Sequence, residues 1–392
     1  MDNAKIKQMD KENIMHTYGR YDVCLTKGEG VYAYDEEGKE YIDVSSGIGV
    51  NSLGYCDSGW TKAVSNQLNS IQHISNYYYS PVASMLAEKL TKATGMSKVF
   101  FGNSGAEANE CAIKVARKYS FDKYGKGRDR IVTLENSFHG RTIATLSATG
   151  QEVFHNYFFP FTEGFDYAAA NDIESLKSKI TEKTCGVMLE VVQGEGGVNI
   201  LDTDYLKQVE KICKEKDILL IIDEVQTGAG RTGKLYGYMH SGISPHIITS
   251  AKGLGGGLPI GVCMVCDSLK DVMGPSTHGT TFGSNPVVCA GANYIMDTIN
   301  DEKFLDEVNK KGEYIKENVL RIKGVKSVRQ MGLMIGIEVE GVAGDIAKKC
   351  TENGLLIITA KTLLRMLPPL NITYEEIDKA LSILKKVMEE LV

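Results

Sequence analysis

The chain reads as an α/β protein in which a mostly parallel, helix-covered sheet is joined to a smaller α+β domain. Three observations carry that expectation. From about residue 98 short β-branched runs alternate with helical periods, two of those runs lead into the charged residues Asp223 and Lys252, and after Gly283-Ser284-Asn285-Pro286 the alternation stops. The runs are Lys98 to Phe101, Ile131 to Leu134, Cys185 to Glu190, Ile218 to Asp223, Ile247 to Ser250 and Gly261 to Cys266. Nearly continuous apolar runs of this length mark strands buried on both faces, as in parallel sheets between helices. Between them Ala108, Cys111, Ala112, Val115, Ala116 and Tyr119 share one helical face, and Leu206, Val209, Ile212 and Cys213 share another.

Beyond Pro286 the pattern predicts a long helix from Val287 to Ile299, strands around Val325 to Val339 and Leu355 to Thr359, and a final amphipathic helix. In that helix Ile377, Ala380, Leu381, Leu384, Met388 and Leu391 lie on one side. Gly30 to Asp43 reads as a hairpin turning at Asp35 to Gly38, expected to pack on the same small domain. The expected division is a large domain over 50–286 and a small one from 1–49 and 287–392.

With 392 residues, 43% hydrophobic and 24% charged, the chain can bury a large core, and a net charge of −6 offers no basic field for nucleic acid or anionic membrane. No apolar run approaches the roughly 20 residues that span a bilayer. The segment Met1 to Asp10 lacks the apolar core of an export signal, and nine cysteines, scattered singly, suit reduced thiols; both favour the cytoplasm. Cys263 and Cys266 have half-site spacing, but residues three apart in a strand point to opposite faces, so both read as small core residues.

The chemistry begins with two misplaced charges. Asp223 and Lys252 each follow a strand-like apolar run, at the carboxyl edge of a sheet where ligands bind. A ligand with an aldehyde for the lysine and a protonated ring nitrogen for the aspartate satisfies both, which points to pyridoxal phosphate; an ion pair between the two is the plainer alternative. Asn103-Ser104-Gly105-Ala106, between a strand and a helix N-terminus, offers free amides to a phosphate, or else an ordinary helix cap by Ser104 or Asn103. The absence of a Gly-Lys-Ser/Thr ending argues against a nucleotide triphosphatase.

The flanks, Ile222-Asp223-Glu224-Val225-Gln226-Thr227-Gly228 and Ser250-Ala251-Lys252-Gly253-Leu254-Gly255-Gly256-Gly257, closely resemble the class III (subgroup II) aminotransferases. The resemblance extends from about Thr17 to Leu370 and implies the aspartate-aminotransferase type of fold, the type I pyridoxal-phosphate transferase fold with a seven-stranded sheet, working as a homodimer. It also implies roles. Lys252 bonds the cofactor aldehyde, Asp223 holds the ring nitrogen, Ser104, Gly105 and Ala106 take the phosphate, Phe138 stacks on the ring and Gln226 meets its phenolic oxygen. Arg141 holds a substrate carboxylate, Glu195 masks Arg365 when no carboxylate needs it, and Thr281 reaches the phosphate in the neighbouring subunit. Ser284 stands where relatives usually carry glycine, which leaves the local backbone open.

Within the family, Thr17 to Tyr21, Ser46 to Tyr55 and His73 to Tyr78 look most like enzymes acting on N-acetylornithine with 2-oxoglutarate, in arginine biosynthesis. His139 replaces the tryptophan of ornithine aminotransferases, favouring the same choice. Ornithine, succinylornithine and 4-aminobutyrate are the alternative amines, and a racemase or decarboxylase of the same fold is the alternative chemistry.

Overall fold

The computed structural model describes residues 3–391. Its main sheet has seven strands: β1 Lys98–Gly102, β2 Arg130–Leu134, β3 Phe165–Ala168, β4 Thr184–Leu189, β5 Leu219–Asp223, β6 Ile247–Ala251 and β7 Gly261–Val265. Every residue of β4, β5, β6 and β7 is buried, which is why these runs carry no alternation. Across the sheet the order is β1-β7-β6-β5-β4-β2-β3, and only β7 runs antiparallel to its neighbours. The expected α/β architecture is the one observed.

Register decides what shares the sheet edge. Asp223 pairs with Thr249, so Lys252 emerges just beyond the end of β6, while Gly261 at the start of β7 pairs with both Ala251 and Gly102. The loops after β1, β2, β4, β5 and β6 therefore open on one rim. Gly261 is required there, because a Cβ would stand 2.0 Å from the Ser104 carbonyl oxygen.

Β3 escaped the sequence reading: it is a four-residue edge strand beside the aromatic stretch Tyr157 to Phe161, without a buried run to mark it. Beside the main sheet, Leu25–Glu29, Tyr32–Asp35, Glu40–Asp43 and Leu355–Leu356 form one four-stranded sheet, so the N-terminal hairpin does pair with a C-terminal strand. The Asp35 carboxylate organises its turn by accepting from the Glu37 and Lys39 N–H groups. A further sheet joins Val325–Met331, Met334–Val339, Ile358–Ala360 and Leu363–Met366. Its strand Leu363–Met366, which no pattern announced, carries Arg365 opposite Gly336. The final helix, Tyr374–Leu391, buries Ile377, Ala380, Leu381, Leu384 and Met388 as its period requires, but Leu391, expected on the same side, is exposed at the helix end. Among the described residues no helix is long and apolar enough to cross a membrane.

Candidate active site

The rim of the sheet opens into a cavity of about 470 Å³ lined by Ser104, Gly105, Ala106, Phe138, Arg141, Glu195, Asp223, Gln226 and Lys252. Nine of the eleven residues singled out in the sequence thus meet in one place. Arg365 stands directly behind them, its Nη1 2.7 Å from Glu195 Oε1 and 3.2 Å from Gln226 Oε1. Thr281 lies instead on a second, surface cavity of about 750 Å³ with His73, Asn76 and Ser284.

Burying a carboxylate alone costs several kcal/mol, so Asp223 needs donors. Asn109 Nδ2 and His139 Nδ1 both lie 2.8 Å from its Oδ2, and the Val225 N–H donates to its Oδ1 at 3.0 Å. Asn109 is itself oriented, since Thr249 Oγ1 donates to its Oδ1 at 2.7 Å. Sequence reasoning missed Asn109. The signal was a polar residue within the apolar stripe of the helix Gly105–Tyr124, where it is buried.

Lys252 sits at the turn from β6 into a 3₁₀ turn with φ of +44°, a left-handed conformation that costs a non-glycine residue of order 1–3 kcal/mol. Burial, with the Arg365 charge acting in the same direction against Glu195, pulls its ammonium below the usual lysine range. Glu190, a second residue the sequence left unnoticed, follows β4 and accepts the Phe138 N–H at 2.9 Å. Burial, reinforced by Asp223, pushes it well above the carboxylate range. For Glu195 burial pulls upward, but Arg365 and its hydrogen bond outweigh it and hold the carboxyl low.

The helix Gly105–Tyr124 begins at the cavity wall with Ser104 as its N-cap, its oxygen accepting the Glu107 N–H at 3.2 Å. A Cβ on Gly105 would stand 2.6 Å from the Val225 side chain, so the start of the helix packs against Val225 only because the residue is glycine. Asn103 Nδ2 donates to Thr280 Oγ1 at 3.0 Å, tying the loop before Ser284 to this wall. Ser284 adopts a left-handed backbone, with φ of +62°, a conformation glycine takes most easily, and its hydroxyl bonds Asn76. Cys263 is buried in a core cluster and Cys266 is half-buried beside Ser268.

This donor set fits pyridoxal phosphate. The cavity is lined by the start of a helix, by a carboxylate in hydrogen-bond contact with Asn109, His139 and the Val225 N–H, and by a lysine whose ammonium is held below the usual range. The family model described as Aminotransferase class-III matches residues 14–388. The chain is 48% identical to the acetylornithine aminotransferase of Haemophilus ducreyi, over 100% of both chains. It is 48% identical to that of Aquifex aeolicus, covering 96% of this chain and 99% of the relative. Among solved structures, the ornithine aminotransferase of Toxoplasma gondii superposes with a TM-score of 0.95 at 30% identity, covering 100% of this chain and 96% of the other. The acetylornithine aminotransferase of Elizabethkingia anophelis gives 0.89 at 30% identity over 100% of both. This chain therefore belongs to the class III aminotransferases, which depend on pyridoxal phosphate.

Proposed function

We propose that the protein transfers the terminal amino group of N-acetylornithine to 2-oxoglutarate, giving N-acetylglutamate 5-semialdehyde and glutamate. The observation that supports this most is an asymmetry between two arginines. Arg365 is paired with Glu195 at 2.7 Å, whereas Arg141 lines the cavity exposed and outside every ion pair of the described residues. N-acetylornithine reacts at a carbon without a carboxylate, so one open clamp is what it needs. Glutamate has carboxylates at both ends and uses both once Glu195 moves aside. The name carried by the Haemophilus and Aquifex relatives agrees with this reading.

Bound here, pyridoxal phosphate supplies an aldehyde that takes up amino groups and a ring that draws electrons from the substrate carbon. The chain's own residues do the rest. The amides of Gly105 and Ala106 would hold the phosphate, joined by the Ser104 hydroxyl once it turns from Glu107 Oε2, to which it donates at 2.9 Å; Phe138 would pack on the ring, and Gln226 would donate to the phenolic oxygen. Asp223, held in place by Asn109 and His139, would pair with the protonated ring nitrogen. Lys252 would anchor the cofactor, and its Nζ would serve as the base that moves the proton at the amine-bearing carbon of the substrate.

The same reading includes a homodimer in which Thr281 serves the neighbour's phosphate. Around the cavity that holds Thr281, Tyr77 is 95% and Phe282 62% exposed, aromatic surface that a second copy would cover. We also assign residues 50–286 to a large cofactor domain and 1–49 with 287–392 to a small one, and the nine free cysteines support a cytoplasmic setting. Single-turnover mixing with N-acetylornithine, ornithine, N-succinylornithine, 4-aminobutyrate and glutamate tests the substrate. N-acetylornithine is expected to bleach the cofactor absorbance fastest, and faster reaction of ornithine or 4-aminobutyrate overturns the choice.

A further inference from the structure

Arg141 has an unusual neighbour. Its guanidinium carbon lies 4.1 Å from the ring centroid of Phe154 and 5.5 Å from that of Phe138, and the two rings meet edge to face at 6.0 Å. Both separations fall within cation–π range, with Phe154 much the nearer. The contact is built rather than incidental. Phe154 ends the short turn Glu152–Phe154, and the preceding residues are stitched to the loop that carries Phe138: Gly150 N–H donates to Ser137 Oγ at 3.0 Å and Gln151 Nε2 to the Ser137 carbonyl at 3.0 Å. After it, His155 Nε2 lies 3.0 Å from the Leu146 carbonyl and its ring packs on Phe161 and Tyr167 at 5.4 and 5.7 Å. Val153 and Tyr157 on either side are exposed, while Phe154 turns inward and is half-buried.

A ring held against the guanidinium carbon uses none of its N–H donors, and those donors can fork a carboxylate. We propose that Phe154 is a positioning residue that holds Arg141 in the orientation needed to clamp substrate carboxylates, and so sets the preference for carboxylate-bearing substrates. Without the ring a long exposed arginine samples many rotamers, and each carboxylate must order it on binding. The inference rests on the reading that Arg141 is the carboxylate clamp.

The test compares Phe154→Leu, Phe154→Tyr, Arg141→Ala and the double variant Phe154→Leu/Arg141→Ala in the cofactor-loaded protein. Phe154→Leu should raise KM for N-acetylornithine and 2-oxoglutarate about tenfold with kcat within about twofold, and weaken calorimetric binding of glutarate by a similar factor. Phe154→Tyr should restore both, and Phe154→Leu should add nothing once Arg141 is alanine. Unchanged KM and glutarate affinity in Phe154→Leu, when Arg141→Ala raises both, overturns the inference alone. Additive effects in the double variant, or a fall confined to kcat, overturn it too, because the ring would then act elsewhere. If Arg141→Ala itself leaves KM and glutarate binding unchanged, the clamp reading beneath the inference is what fails.

Discussion

Arg365 reaches Glu195 at 2.7 Å although 170 positions separate them, joining a strand of the outer sheet to the loop after β4. The guanidinium is buried and the carboxylate half-buried, so separating the pair is costly unless another carboxylate takes over. A substrate with a second carboxylate provides one.

That exchange predicts a split between half-reactions. Arg365→Ala should spare the N-acetylornithine half and depress kcat/KM for glutamate by roughly 1.5–3 kcal/mol, the worth of a charge-assisted contact. Glu195→Gln leaves Arg365 permanently open and should shift the ratio of glutamate to N-acetylornithine kcat/KM at least about tenfold toward glutamate. Stopped-flow half-reactions check both. Equal losses in the two halves for Arg365→Ala would remove the masking role.

Lys252→Ala should abolish turnover while leaving a protein that still takes up pyridoxal phosphate reversibly, because the helix terminus at Gly105 and the braced Asp223 remain. Removal of the phosphate cofactor by dialysis, followed by absorbance titration, measures the uptake. Substantial transamination by this variant would sink the assignment of Lys252.

Thr281→Glu sets a carboxylate against the phosphate proposed for the neighbouring subunit and should block cofactor uptake by like-charge repulsion. Mixed with Lys252→Ala chains under conditions that exchange subunits, it should give hybrids with one doubly damaged site and one intact site. Two inactive preparations should therefore regain activity. Subunit exchange demonstrated by co-purifying tags, without activity, would mean that Thr281 serves its own chain.

A pH dependence follows from Glu224, which is buried and accepts from Thr227 Oγ1 at 2.5 Å, Gly237 N–H at 2.8 Å and Tyr238 N–H at 2.7 Å. Burial outweighs these donors and pushes its carboxyl up to about 7 from an ordinary 4.5. Between those values the folded chain keeps a proton that the unfolded chain releases, so this residue's contribution to stability falls as pH rises through the window and is level above it. The full change is on the order of 3 kcal/mol. The stability of wild type relative to Glu224→Gln, read from thermal or urea unfolding, should therefore decline from pH 5 to pH 8. A difference that does not change with pH would mean that Glu224 is ionised throughout.

The sequence alone determined the strands that matter and the residues at their ends. Ile218 to Asp223 and Ile247 to Ser250 are legible because a strand buried on both faces must be apolar throughout, so a charge at its end stands out. The helix after Asn103 and the glycine at 105 are legible for a similar local reason: a cap, a period and a tight approach are written in neighbouring residues. Tertiary structure decided the partnerships. Asn109 and His139 come from two different segments to the Asp223 carboxylate, Phe154 reaches Arg141 from a loop with no periodic signal, and Arg365 arrives on a four-residue strand of another sheet. Orientation of a side chain toward a residue far along the chain depends on strand register and loop course, and those are properties of the assembled sheet that local pattern does not carry.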